Sequence, residues 1–70
     1  MDTNKLRYFI ADRGKSISDI EAALGISKTA LYRKMNSKSE FTREEIQKLI
    51  LVLGLSDEET MSVFFNDKVS

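Results

Sequence analysis

The sequence predicts an all-α fold, five short helices around one small core, and three observations carry that prediction. Apolar residues recur at three- and four-residue spacing along most of the chain, as they do when each helix buries one face. All three glycines, Gly14, Gly25 and Gly54, fall just past an apolar stripe, where a left-handed residue ends a helix at least steric cost. Ser16 with Asp19, Thr42 with Glu45 and Ser56 with Glu59 have capping-box spacing, in which a hydroxyl and a carboxylate each satisfy an orphan amide. Proline is absent and β-branched alternation is weak, so no strand is expected.

The helices follow in order, at about 4–13, 17–24, 28–36, 43–53 and 57–65. Leu6, Phe9 and Ile10 form the first buried stripe, and Ile17, Ile20 and Leu24 the second. Leu31 and Met35 form the third, and Ile46, Leu49, Ile50 and Leu53 the fourth. The fifth is expected from Met61, Phe64 and Phe65. Ser27 is a plain N-cap, and Phe41 is placed to pack on Ile46 as a hydrophobic staple ahead of the fourth helix. No linker or repeat interrupts the chain, so residues 1–70 read as one domain, with 66–70 as a frayed tail.

Composition excludes several function classes. Seventy residues lie near the lower limit for a core without disulfides or metals. Cys and His are both absent, which removes thiolate chemistry, the usual metal ligands and the usual general base. A chain this short can hardly enclose a substrate pocket, so neither enzyme activity, a cofactor nor a metal site is expected. The longest apolar run, Leu49 to Leu53, is far too short to span a bilayer, and the N-terminus carries no signal-peptide pattern. A cytoplasmic location without membrane attachment is the expectation.

The zero net charge hides an asymmetry. Residues 1–38 carry eight basic and four acidic side chains, a balance of +4, while residues 39–70 carry three and seven, a balance of −4. No acid lies between Glu21 and Glu40. One face is thereby marked for a polyanion.

The informative segment runs from Ile17 to Asn36. One helix ends at Gly25, Ile26 plugs the turn, and Ser27 opens the next helix. So short a joint forces the two helices to cross steeply. With Ile20, Leu24, Ile26, Leu31 and Met35 facing inward, Lys28, Thr29, Tyr32 and Arg33 are left outside. Long donors, a hydroxyl and an aromatic suit base edges and thymine methyls in a major groove.

This segment resembles the helix-turn-helix of the lambda repressor and Cro-like family, a likeness that covers nearly the whole chain. Leu24-Gly25-Ile26-Ser27 matches the family's turn, and Asn36-Ser37-Lys38-Ser39-Glu40-Phe41 resembles the loop after its recognition helix. Leu53-Gly54-Leu55 with the acidic cap that follows resembles the end of the fourth helix in short phage-encoded members. The chain departs from the pattern at Glu21, where a small residue is usual, at Ile17, where many members place Gln, and at Ser37, where Gly is common. The last departure leaves Asn36 to supply a left-handed turn.

The resemblance implies a compact five-helix lambda repressor-like domain, a Cro-like phage or prophage repressor whose third helix enters the major groove. It implies double-stranded DNA with a palindromic operator as partner, bound by a homodimer formed in solution or only on DNA. Lys28, Thr29, Tyr32 and Arg33 are then the base-reading candidates, since the start of a recognition helix reaches deepest. Ser16, Ser18, Asn36, Lys38, Thr42 and Arg43 are phosphate candidates at helix starts and the adjoining loop. Val63 and Phe65 are the expected dimer interface. A second reading makes the chain a phage modulator or anti-repressor that binds another regulatory protein, a partner repressor, through exposed Leu51, Val52, Val63 and Phe65.

Overall fold

A computed structural model describes residues 1–36 and 38–65. It contains α1 (Thr3–Asp12), α2 (Ile17–Leu24), α3 (Lys28–Met35), α4 (Arg43–Leu53) and α5 (Asp57–Phe64), with no strand among the described residues. Every boundary falls within one residue of the sequence expectation. The frayed tail expected at 66–70 and the departure at Ser37 lie outside the described residues.

The helix starts are held as their side chains dictate. All three capping boxes form: Ser16, Thr42 and Ser56 each accept the amide of the acid three residues on, and each acid accepts the cap's own amide. Ser27 caps α3 by accepting the Ala30 amide at 3.1 Å. At the ends of α2 and α4, Gly25 and Gly54 adopt φ of 70° and 64°, a region that side chains with a Cβ seldom enter. The end of α3 differs from expectation. Asn36 has φ −98° and ψ 17°, so it supplies no left-handed turn, and the Lys38 amide reaches back to the Arg33 carbonyl at 2.8 Å.

One cluster joins all five helices: Leu6 and Ile10, Ile20 and Leu24, Leu31 and Met35, Leu49 and Leu53, then Leu55 and Val63. α2 packs against both α3 and α4, and α1 packs against α5. No polar or charged side chain is buried among the described residues. Burial of ten apolar side chains is what holds so short a chain together.

The fifth helix corrects the sequence reading. Val63 is fully buried, whereas Met61 and Phe65 are more than half exposed. The stripe is therefore centred on Val63 with Phe64 beside it, and Val63 cannot belong to a dimer interface. The start of the chain fixes this rotation, because the Asp2 amide donates to the Val63 carbonyl at 2.8 Å and docks α1 on α5. Leu55, which belongs to no stripe, is also core. It follows Gly54, and its amide bonds the Ile50 carbonyl at 3.0 Å, the position where a helix-end motif turns an apolar residue inward.

Candidate nucleic-acid interface

The unit that presents the candidate residues is α2, a three-residue joint and α3. Both the Gly25 and Ile26 amides return to the Glu21 carbonyl, at 2.8 and 3.3 Å, which closes the end of α2 and turns the chain sharply. Glu21 therefore serves the turn through its backbone while its side chain stays half-buried. Ile26 packs on the core, and Leu31 and Met35 are fully buried, which fixes the face that α3 turns inward.

The opposite face carries three of the four base-reading candidates. At about 100° per residue, Thr29, Tyr32, Arg33 and Asn36 fall within one sector roughly 100° wide, and Lys28, the first residue of the helix, lies about 40° outside it. Lys28, Thr29, Arg33 and Asn36 are exposed, and Tyr32 stands at the rim of the core with 36% of its surface free. Lys28 and Arg33 make no ion pair among the described residues.

The phosphate candidates are all exposed as well. Ser16 and Ser18 sit at the start of α2, Thr42 and Arg43 at the start of α4, and Lys38 in the loop between α3 and α4. The cap acids of the two helix starts differ in their pairing. Beside Ser16, the Ser16 amide and hydroxyl hold the Asp19 carboxyl below its usual range, so an unpaired negative charge remains there. Beside Thr42, burial raises the Glu45 carboxyl, but the Thr42 amide and the Lys34 ammonium outweigh it and hold it low. That carboxylate is neutralised, with Lys34 Nζ 3.0 Å from its Oε1. Glu44, exposed in the same turn of α4, nevertheless leaves an acidic charge at that helix start as well.

Two other cations of the basic half turn inward. Lys34 leaves the exposed face of α3, bonding Glu45 and the Glu40 carbonyl. Arg13 donates through Nε to the Leu53 carbonyl at 2.9 Å and through its terminal nitrogens to Asp12 and Glu59. The Glu59 and Asp12 carboxylates raise its already high pKa further. Sequence reasoning did not find either tie, because partners 11 and 46 residues apart share no local spacing.

Residues 5–68 match the family of Cro/C1-type HTH DNA-binding domains. The chain belongs to that family. No curated protein and no solved structure matches it significantly. DNA is the ligand class of that family. None of its helices among the described residues is long and apolar enough to cross a membrane.

Proposed function

We propose that this Cro/C1-type domain is a sequence-specific transcriptional regulator, a Cro-like repressor that reads the major groove with α3. The observation that carries the reading is the state of its cations. Arg13 and Lys34 are tied to acids within the fold, whereas Lys28 and Arg33 stand free on the exposed face of α3. Lys28, Thr29, Tyr32 and Arg33 meet base edges, and Asn36, Lys38, Thr42 and Arg43 meet phosphates. Ser16 and Ser18 add contacts at the start of α2. No catalytic residue takes part.

The active form is a homodimer on a palindromic operator. Its interface is Phe65 with Met61, one turn earlier on the outer side of α5, where 54% and 56% of their surfaces are free. Met1 and Phe65 also line a cleft of about 350 Å³ with Phe41, Ile46 and Phe64, whose other walls are the polar Lys34, Ser39 and Glu40. Paired recognition helices then sit about 34–36 Å apart, one turn of DNA.

Titration of labelled duplex at several salt concentrations tests the function. Affinity should fall steeply with salt, because each neutralised phosphate releases counterion. Replacing Lys28 and Arg33 together by Ala should abolish most of it. Negligible affinity at low salt, with tight binding to another regulator instead, would replace this reading by the modulator one.

A further inference from the structure

We infer that Lys34 is a positioning residue for DNA recognition, locking α3 against the start of α4 without touching DNA itself. The inference rests on α3 being the DNA-facing helix. Lys34 follows Arg33 in sequence, but one step of about 100° turns it to the flank of the helix. Its Nζ lies 3.0 Å from Glu45 Oε1 and 3.2 Å from the Glu40 carbonyl. The ammonium also stands 6.0 Å from the centre of the Phe41 ring. The Lys34 and Glu45 side chains are only 16% and 14% exposed.

The same Glu45 oxygen accepts the Thr42 amide at 2.9 Å. One carboxylate oxygen thus joins the flank of α3 to the first turn of α4, and the Glu40 carbonyl brings in the intervening loop. At the same end of α3, the Thr3 hydroxyl donates to the Met35 carbonyl at 2.7 Å and ties the helix to α1. A helix of eight residues is too short to hold its own shape, so its pitch is set by such ties. The groups that Lys34 holds in register are the base-reading candidates on α3 and the phosphate candidates Thr42 and Arg43 on α4. To reach a phosphate, Lys34 would have to leave both acceptors and strand a half-buried carboxylate.

Two substitutions in the full chain test this on a duplex selected from a random pool by the unaltered protein. Lys34→Met keeps the apolar stem and removes the donors. It should weaken binding to the selected duplex about tenfold, because contact geometry loosens while contact groups remain. The log–log salt slope should not change, and Lys34→Arg should recover most of the loss. Glu45→Gln keeps an acceptor for the Thr42 amide and removes one negative charge. Simple electrostatics predicts tighter DNA binding from that change, whereas positioning predicts weaker binding.

A slope reduced by about one in Lys34→Met would mean a direct phosphate contact and overturn the inference. Tighter or unchanged binding by Glu45→Gln would overturn it equally. If Lys34→Met fails to fold, judged by its far-ultraviolet circular dichroism, the sign of the Glu45→Gln effect decides alone. The two readings fail differently. An unaltered chain that selects no duplex at low salt removes the α3 reading and this one with it. Normal selection with both variants behaving as the parent removes only the role of Lys34.

Discussion

The chain makes the same turn twice. Leu24-Gly25-Ile26-Ser27 joins α2 to α3, and Leu53-Gly54-Leu55-Ser56 joins α4 to α5. In both, a left-handed glycine ends the first helix and an amide reaches five residues back, from Ile26 to Glu21 and from Leu55 to Ile50. In both, a serine caps an eight-residue helix. The helices that follow are chemically opposite. The first turn of α5 carries Asp57, Glu58 and Glu59, which favour the positive end of its own helix. The first turn of α3 carries no acid and begins with Lys28, positive charge on a positive helix end. No acid there offsets the positive end of the helix, as the three acids of α5 do. The turn sets the angle between helices, but the outer face of the second helix decides what the unit does.

The largest effect that would break this comparison is in the core. Leu31→Ala should destabilise by about 2–4 kcal/mol, as truncation of a buried Leu does. In a domain with only about 5 kcal/mol in all, that leaves a substantial unfolded fraction, readable by urea denaturation. A loss under about half a kcal/mol would mean that α3 does not turn Leu31 inward, which would reassign its outer face.

Next in size is base reading itself. Arg33→Ala or Thr29→Ala should cost about 1–3 kcal/mol on the preferred duplex and relax the choice of base there. Glu58, which occupies in α5 the place of Thr29 in α3, supplies the matched control. Glu58→Ala should leave the binding preference unchanged. If both helices responded alike, the distinction between the two turns would collapse.

Most of this architecture is legible in the sequence, because its signals are local. Three capping boxes, the Ser27 cap and the glycine stops mark the starts of α2 to α5 and the ends of α1, α2 and α4 to within a residue. What escapes is what distant residues decide. Met61, Val63, Phe64 and Phe65 allow more than one buried phase in so short a helix, and the Asp2 amide on the Val63 carbonyl selects one. Leu55 is visible in hindsight as the counterpart of Ile26, since each follows a helix-ending glycine. The basic half looks uniform in sequence, yet Arg13 and Lys34 are structural cations and Lys28 and Arg33 are free ones. No spacing rule separates them.

That division of cations gives a smaller effect. Lys38→Ala should weaken binding to all duplexes alike and reduce the salt slope by about one, since Lys38 is exposed and read as a phosphate contact. Arg13→Ala should leave the slope unchanged but lower the thermal midpoint, because the C-terminal ends of α1 and α4 lose their shared donor. Lys48→Ala, on an exposed part of α4, should change neither. A slope that fell with Arg13 would place that residue on the DNA and blur the two classes.

The smallest effect distinguishes the helices by their caps. Asp19, Glu45 and Glu59 all have lowered pKa values, each held by the amide of its own box. Burial opposes this at Glu45, where Lys34 helps to overcome it, and Arg13 adds to it at Glu59. A carboxyl whose pKa is lower in the folded state binds fewer protons there than in the unfolded chain. Its contribution is therefore complete above the unfolded value and is lost as pH falls toward the folded one. The ordinary values are 3.8 for Asp19 and 4.5 for Glu45 and Glu59, so the thermal midpoint should hold from neutral pH to about 5 and decline below it. The chain has no His, the side chain whose ordinary value lies between pH 5 and 8. The boxes belong to α2, α4 and α5, while α3 has only the neutral hydroxyl of Ser27. Residue-resolved amide exchange at about pH 3.5 to 4 should thus show the first turns of α2, α4 and α5 opening more readily, with the first turn of α3 following only the global loss. Selective opening of α3 in that range would show that its start depends on a carboxylate after all, and the contrast between the two turns would no longer hold.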